Sequence, residues 1–546
     1  MSDCSTLAKH IKFQRQPKPW SGECGKQFPS REVSDRLLDL YIRCFEPIYR
    51  IAHVPSLISG YRGFWEAPDA TDSLVVHKIQ LCLALGCYVY DDAFSLRSFV
   101  IQWMHEAKVA MVMLERSPMR LECLQLLCLL HLVRRYYQGK QGPPLWISAG
   151  IIYQAAITMG LHIAPSKLPQ VSSYHAEMRR RLWTTILEFQ VESSIEGGTT
   201  PLMSSEDTAR DLPLNLDDDQ IDPDVDTSPT PEPRDNFTNS SLQLALARSL
   251  PLRAAVIKTV NDTNHQASYG AILRLTAELQ EANRVLSAQV ASYGPRLTPF
   301  LVRWCDSFIR RYFLILHIPY MQLAARNPLY YFSRKVCVDN AIRLSYAFCP
   351  PGNPGSTLEG LRLAANIDKP CVDFLRYNYC TIGHARSTHF QCCSIIAAEI
   401  LSIVREESRG KSQQTSEGVG VVGNLQYVQL HALLLQANKL AESRIRTGHT
   451  NVKDFVHSAV FLAEVEAYTS GSAMGPLVHT RATESINKAI AILRDQVTEE
   501  TMVSGMTMQT LDTTMYPDAM GQLSTFWIGE FQDMSWDNFS PGSMHR

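Results

Sequence analysis

Apolar residues recur every three to four positions through most of this 546-residue chain, and this helical period limits the fold more than any other feature. Between Arg36 and Tyr49, for example, Leu38, Tyr41 and Phe45 fall at helical spacing. No convincing run of alternating residues indicates strands. The sequence therefore predicts an all-α fold, with the strongest further helices at 76–90, 97–116, 119–138, 145–159 and 174–195, and others between 241 and 496.

The helical period is missing from both ends of the chain, which divides it into three parts. Residues 1–35 are punctuated by proline and glycine, and residues 501–546 lose the period, so we expect disordered tails there. Residues 36–500 are expected to form one large multi-helix domain. Within it, we expect an exposed and partly mobile acidic, proline-rich connection at 204–238 and a glycine-rich loop at 408–423.

Charge and cysteine content narrow the class of protein. The formal net charge is −2, with 52 basic and 54 acidic residues, so no global basic excess attracts phosphate backbones. The 14 cysteines are scattered, and several lie in apolar stretches, which indicates reduced, buried thiols. The first residues lack the apolar segment of a signal peptide, and the most apolar run, Leu124 to Val133, is too short for a bilayer. We therefore expect a soluble protein without membrane contact.

A glycine-rich motif at 418–423 matches the GxGxxG pattern of dinucleotide sites. That pattern requires a preceding strand, whereas the upstream residues are polar and strand-poor, so we predict a flexible loop. The chain contains no GxSxG nucleophile elbow, no P-loop and no CxxC pairs at zinc-ligand spacing. We accordingly predict no catalytic, cofactor-binding or metal-binding residues, and a protein that is not an enzyme.

An acidic motif in the proline-rich connection carries one enzymatic alternative. Asp218, Asp219 and Asp222 match the DDxxD pattern with which all-helical terpene cyclases hold magnesium and a diphosphate. The companion magnesium motif is missing and the neighbouring residues are typical of a loop, so a solvated acidic loop is the favoured interpretation. A helical enzyme of the terpene-cyclase type that uses these three carboxylates is the alternative.

Three consecutive arginines, Arg179 to Arg181, precede Leu182 and Trp183. Such a run can contact phosphate or act as a nuclear import signal, but three residues fall short of the usual basic cluster. Pairing of the arginines with carboxylates or with a helix end is the favoured interpretation.

The stretch from Leu145 to Asp219 carries the most ordered set of motifs in the chain. A Trp…Ala-Gly helix precedes a Gly-Leu-His end, an Arg-Arg-Leu-Trp helix, a glycine-to-proline turn and a Leu-Pro…Asp-Asp close. In this order the motifs resemble the middle homology region of fungal zinc-cluster transcription factors, and flanking residues extend the resemblance over about 35–350. The candidate structural motif residues are Trp146, Gly160, His162, Arg180, Arg181, Trp183, Gly198, Pro201 and Pro213.

The resemblance implies a helical regulatory domain, a nuclear location and control of transcription, often of a metabolic or secondary-metabolite gene cluster. Trp146 and Trp183 are then candidate core anchors, while Gly160 and Gly198 permit chain reversal. A protein-interaction scaffold that senses a small-molecule effector is a further alternative. Target genes, oligomeric state and the choice between activation and repression stay open.

One departure from the family concerns DNA binding. The family's DNA-binding module holds two zinc ions with six cysteines, whereas Cys4 and Cys24 are the only cysteines before the region of resemblance. We therefore expect no direct DNA contact through that module, and a zinc-cluster factor as partner. Zinc itself is expected only if an upstream zinc-cluster exon is missing from the sequence.

The last forty residues contain an aromatic and acidic segment without lysine or arginine. Acidic residues keep aromatic side chains solvated, so that coactivators or other transcription machinery can bind them. A disordered or docked tail is the other interpretation. The candidate activation residues are Phe526, Trp527, Phe531, Asp533, Trp536, Asp537 and Phe539.

Overall fold

The computed structural model describes residues 1–504 except 16–24, 115–118, 138–143, 169–170, 209–210, 226–228, 263–266, 349–370, 383 and 412–424. Within this part the chain is helical and forms no strand, which confirms the predicted all-α fold. In chain order the α-helices are α1 Ser2–Gln14, α2 Arg31–Cys44, α3 Glu46–Tyr49, α4 Val54–Glu66, α5 Ser73–Tyr90, α6 Arg97–Leu114, α7 Leu121–Tyr136, α8 Leu145–Thr158, α9 Ser173–Gly197, α10 Ser205–Thr208, α11 Ser241–Ala247, α12 Leu250–Asn261, α13 Tyr269–Tyr293, α14 Pro299–Met321, α15 Tyr331–Phe348, α16 Val372–Cys380, α17 His384–Lys411, α18 Leu425–Arg446, α19 Lys453–Ser470 and α20 Met474–Ser504.

Short 3₁₀ turns connect several of these helices, at Pro68–Ala70, Pro165–Lys167, Asp218–Gln220, Gly294–Arg296, Gln322–Ala325 and Pro328–Tyr330. Helix starts follow from local capping chemistry. A hydroxyl or carboxylate just before the helix accepts a bond from a backbone N–H of the first turn, which otherwise has no partner. The capping residues with this bond include Ser30, Asp72, Ser172, Ser268 and Thr298.

One continuous apolar core runs from α2 to α19. Helices Ser73–Tyr90 and Ala385–Glu406 have the length and apolar composition of membrane spans, but 78% and 72% of these windows are buried inside the protein. A helix that is apolar on nearly every side suits the interior of a large helical body. Both helices therefore serve as its central packing elements. The described cysteines are free thiols, and nearly all of them are buried.

The N-terminal segment differs from the disordered tail that we expect for residues 1–35. Helix α1 packs on α20, and Cys4 and Ile11 are buried in a second apolar cluster with Ile445 and Leu493. Apolar residues spaced along α1 explain the difference, because a weak helical period becomes stable once a partner helix covers it.

The acidic connection at 204–238 is packed against the body in part, rather than exposed throughout. Leu216 and Ile221 are buried. The side-chain amide of Asn215 donates to the backbone carbonyls of Pro233 and Asn236, both at 2.9 Å. These bonds close the connection into a loop, while acids such as Asp219 and Asp222 remain exposed. The expectation of an exposed, partly mobile connection thus overlooked its apolar and amide anchors.

Candidate functional site: a buried arginine and carboxylate network

Asp218 lies at the centre of a buried charged network. Its Oδ1 accepts a hydrogen bond from Arg181 Nη1 at 2.7 Å and forms an ion pair with Arg50. Its Oδ2 accepts a hydrogen bond from the backbone N–H of Val54 at 3.0 Å. Its backbone carbonyl meets His53 Nε2 at 2.9 Å. Both carboxylate oxygens are therefore already occupied by protein donors.

A sharp turn after α3 brings Arg50 to this centre. Arg50 adopts the left-handed conformation with φ of +45°, which is uncommon for a side chain larger than glycine. The carboxylate of Glu46 stabilises the turn by accepting the backbone N–H of Ala52 at 3.1 Å, and it also accepts the hydroxyl of Tyr41. The surrounding contacts thus offset the backbone strain.

Helix α9 supplies the second arginine and another carboxylate. Glu177 accepts hydrogen bonds from Arg181 Nε at 3.1 Å and from the backbone N–H of Leu214, within the acidic connection, at 3.2 Å. Arg180 lies 3.4 Å from the same carboxylate. The network therefore ties together the turn after α3, the helix α9 and the connection that holds Asp218.

Burial and neighbouring charge act in opposite directions on these carboxyl groups. Burial alone would raise the pKa of Asp218, but Arg50 and Arg181 lower it below its ordinary value. Burial raises the pKa of Glu46 to about 7, and Arg50 offsets this only in part. Asp218 is therefore the charged partner of both arginines at neutral pH.

Further along α9, two more glutamates bind arginines from other helices. Glu192 pairs with Arg135 of α7 and with Arg311 of α14. Glu188 binds Arg253 of α12 through both oxygens, at 2.5 and 2.8 Å. These five residues were missed in the sequence. Glu188 and Glu192 lie four residues apart within a largely apolar part of α9, and this spacing is the signal that could have revealed them.

The two tryptophans of the motif region occupy different environments. Trp183 is buried, its Nε1 donates to the carbonyl of Asp207 at 3.3 Å, and its ring stacks on Tyr153. Trp146 is 50% exposed and lies over Gly197. The prediction that Trp146 anchors the core is therefore wrong. Helix α8 is apolar on nearly all sides, but it lies at the edge of the body and packs only part of its surface.

The two motif glycines lie where helices end. Gly160 has φ of +71° after α8, and Gly198 has φ of +61° after α9, a region in which a Cβ would be strained. Arg179 donates to the carbonyl of Met159 at 2.8 Å and so satisfies the end of α8. Close to this end, the ring of His162 lies 6.4 Å from that of Trp183.

The two motif prolines flank the start of the acidic connection, with Pro201 half-buried and Pro213 buried. Together with Arg180 and Arg181, the motif residues are thus gathered around α9 and its neighbours. No reacting group is presented among them.

The DDxxD alternative does not fit this geometry. Asp218 is buried against arginines, whereas Asp219 and Asp222 are exposed, so the three carboxylates do not converge on one point. Among the described residues, no three His, Cys, Asp or Glu side chains lie together in a way that could hold a metal ion. The ion pairs of Asp218 therefore do not support the terpene-cyclase alternative.

A small cleft lies beside the network, lined by residues that include Tyr49, Thr185, Glu188, Gln243 and Trp304. Its cavity volume is about 10 Å³, far below the range of roughly 300–1,000 Å³ that holds drug-sized ligands. The predicted effector is therefore not assigned to it. The GxGxxG motif at 418–423 and the candidate activation residues within 526–539 lie outside the described residues.

The buried charges of this network join segments that lie far apart in the chain. Residues 38–252, which contain the whole Asp218 network, match the fungal-specific transcription factor domain. This match over part of the chain confirms the resemblance described from the sequence motifs.

Curated fungal proteins extend the similarity beyond that domain. Transcription factor opdR of Penicillium oxalicum is 30% identical over 90% of this chain and 63% of its own length. Transcription factor asR3 of Sarocladium schorii is 29% identical over 82% of this chain and 54% of its own length. The aspyridones cluster regulator apdR of Emericella nidulans is 25% identical over 60% of this chain and 43% of its own length. The chain thus spans less than two thirds of the length of these relatives.

Proposed function

We propose that this protein is a nuclear regulator of transcription that controls a fungal secondary-metabolite gene cluster. The observation that carries the proposal is the fungal-specific transcription factor domain at residues 38–252, together with similarity over 90% of the chain to a protein named as a transcription factor. A relative named as a cluster regulator supports the narrower assignment to secondary metabolism.

The geometry of the domain supports a regulatory rather than a catalytic role. Arg50, Arg181 and Asp218 are each almost completely buried, and both arginines pair with Asp218. Groups that are paired and shielded from solvent position helices, but they are not poised to transfer protons or to attack a substrate. We propose that the helical body acts as a scaffold and that the protein is not an enzyme.

DNA recognition is proposed to come from a zinc-cluster module of the kind that the family uses, either in this protein beyond the given sequence or in a partner factor. The aromatic and acidic residues between Phe526 and Phe539 are proposed to contact coactivators, because aromatic side chains interspersed with acids suit such binding. A small-molecule effector is kept as a further partner.

Gene deletion in the native host, followed by transcript profiling, tests the proposal directly. We expect a fall in the transcripts of one contiguous biosynthetic cluster, restored by the wild-type gene and by an Asp219→Ala allele, since Asp219 is exposed. An Asp218→Ala allele should restore transcription poorly. Unchanged transcripts under conditions in which the parent expresses its clusters would contradict the proposal.

Localisation and reporter assays test its parts. The full chain fused to a fluorescent protein should accumulate in nuclei. Residues 505–546 fused to a heterologous DNA-binding domain should activate a reporter, and Trp527→Ser with Trp536→Ser should remove that activity. Cytoplasmic retention of the full chain together with an inactive fusion would count against a role in transcription.

A further inference from the structure

A second buried charged cluster lies far along the chain from the Asp218 network. It is formed where the end of α18 meets α16, α17 and the start of α19. Its principal residues are Asn378, Arg386, His389, Arg444, His449 and Asp454.

Arg444 is 3% exposed, and its guanidinium is only partly satisfied by the protein. Its Nε donates to the carbonyl of Asn378 at 2.8 Å. Its Nη1 and Nη2 are buried and have no hydrogen-bond acceptor in the part of the chain that the structure describes. A buried guanidinium with free N–H groups is costly unless an acceptor of negative charge completes it.

Two buried histidines have unused ring nitrogens next to this guanidinium. His389 Nδ1 and His449 Nε2 are buried and make no hydrogen bond within the described residues. Burial, with Arg444 next in effect, lowers the pKa of His389 to about 3, and the same causes lower that of His449. Both rings are therefore neutral near pH 7 and carry one N–H each. Since His449 gives its N–H to the backbone of Tyr379, only His389 can offer an N–H donor, at Nδ1.

The carboxylate next to Arg444 is already paired with another arginine. Asp454 is a nearby carboxylate, but Arg386 occupies both of its oxygens, at 2.7 and 2.9 Å. Asp454 therefore does not complete the guanidinium of Arg444, and burial lowers the pKa of Arg444 to about 10.

We propose that Arg444 and His389 form a binding site for a small oxyanion, the carboxylate or phosphate group of a ligand. The planar guanidinium offers paired N–H donors that match two oxygens of such a group, and the imidazole of His389 adds a neutral donor at its side. The bound anion would balance the charge of Arg444 and hold α16, α17 and α18 together. The site does not depend on the proposed role in transcription.

Anion binding to the purified full chain tests the proposal. Inorganic phosphate, acetate and succinate are compared by titration calorimetry and by thermal unfolding, at constant ionic strength set with sodium chloride. We expect saturable binding of one anion per chain and a concentration-dependent rise in the unfolding midpoint. A response to phosphate alone would assign a phosphate ligand, and a response to the carboxylates alone would assign a carboxylate ligand.

Arg446 supplies a matched control, because it lies in the same helix turn but is exposed and pairs with Glu442. Arg444→Gln should weaken anion binding by at least about tenfold, since bonds to charged groups are lost, while Arg446→Gln should bind like the wild type. If Arg444→Gln does not fold, Arg444→Lys is the substitute, because lysine keeps the positive charge but lacks the paired N–H donors of the guanidinium. Arg444→Lys should bind the anion more weakly than the wild type. Absence of saturable binding in the wild type, as expected if ordered water alone completes Arg444, would overturn the proposal. Equal affinities in the wild type, Arg444→Lys and His389→Asn would overturn it as well.

Discussion

Arg181 and Asp218 form a buried ion pair of 2.7 Å, although they lie 37 positions apart in the chain and on different elements. The pair connects the middle of α9 to a loop of acidic residues, and Arg50 adds a third segment. The network therefore holds three separate segments of residues 38–252 together.

Loss of the central carboxylate should destabilise the protein strongly. Asp218→Asn removes the carboxylate that the buried Arg50 and Arg181 share, and we expect a loss of about 3–5 kcal/mol in the free energy of unfolding. Asp219→Asn is the matched control, because Asp219 is exposed and should change stability by less than about 0.5 kcal/mol. Urea unfolding followed by circular dichroism measures both. Similar losses in the two variants would show that the ion pairs are not the cause.

The two motif tryptophans should respond unequally to truncation. Trp183→Ala removes a buried ring and should cost about 3–5 kcal/mol of stability. Trp146→Ala removes a ring that is 50% exposed, so the loss should be less than half as large. The urea unfolding midpoints of the two variants measure these losses. A loss of stability in Trp146→Ala that equals or exceeds the loss in Trp183→Ala would contradict the described packing of α8.

A close helix contact makes one glycine hard to replace. A Cβ added at Gly86 of α5 would overlap the backbone carbonyl of Leu37 in α2, so Gly86→Ala should destabilise by about 1–3 kcal/mol. Gly63 of α4 has no atom within 4 Å of an added Cβ, and Gly63→Ala should stabilise by about 0.5–1 kcal/mol through helix propensity. Thermal unfolding of both variants should therefore show shifts of opposite sign.

Acidification below pH 6.5 should destabilise the fold. Burial lowers the pKa of His131 and His389 to about 3 and that of His317 to about 4. The unfolded chain takes up these protons near pH 6.5 while the folded chain does not, so stability present above pH 6.5 is lost as pH falls. Each histidine contributes about 1.4 kcal/mol per pH unit.

Glu46 opposes this trend. Its raised folded pKa of about 7 lets the folded state bind a proton first, so its contribution favours the fold as pH falls from 7. The stabilising contribution of this carboxyl on acidification is smaller than the destabilising contribution of the three histidines. Urea midpoints at pH 7.0 and 5.5 measure the net slope, and His131→Asn should make that slope shallower by about one proton. His479→Asn, at an exposed position, serves as the control. A midpoint that is the same at both pH values would contradict the prediction.

Local chemistry explains why much of the fold could be predicted. The helical period placed most helices, and the left-handed glycines at 160 and 198 follow from where that period stops. Pairing of Arg181 with a carboxylate was also predicted. The sequence did not identify Asp218 as the partner of Arg181, because nothing in the sequence distinguishes Asp218 from the exposed Asp219.

The all-α class and the order of motifs that resembles the fungal transcription factor family follow from the sequence alone, since both depend on residue type and spacing along the chain. The tertiary structure decided which charges are buried together. Arg50, Arg181 and Asp218 meet only because three separate segments pack on one another. The same holds for Arg444 and its two histidines, whose surroundings come from several helices. The energy of a charge depends on its neighbours in space, and those neighbours are fixed only when the chain is folded.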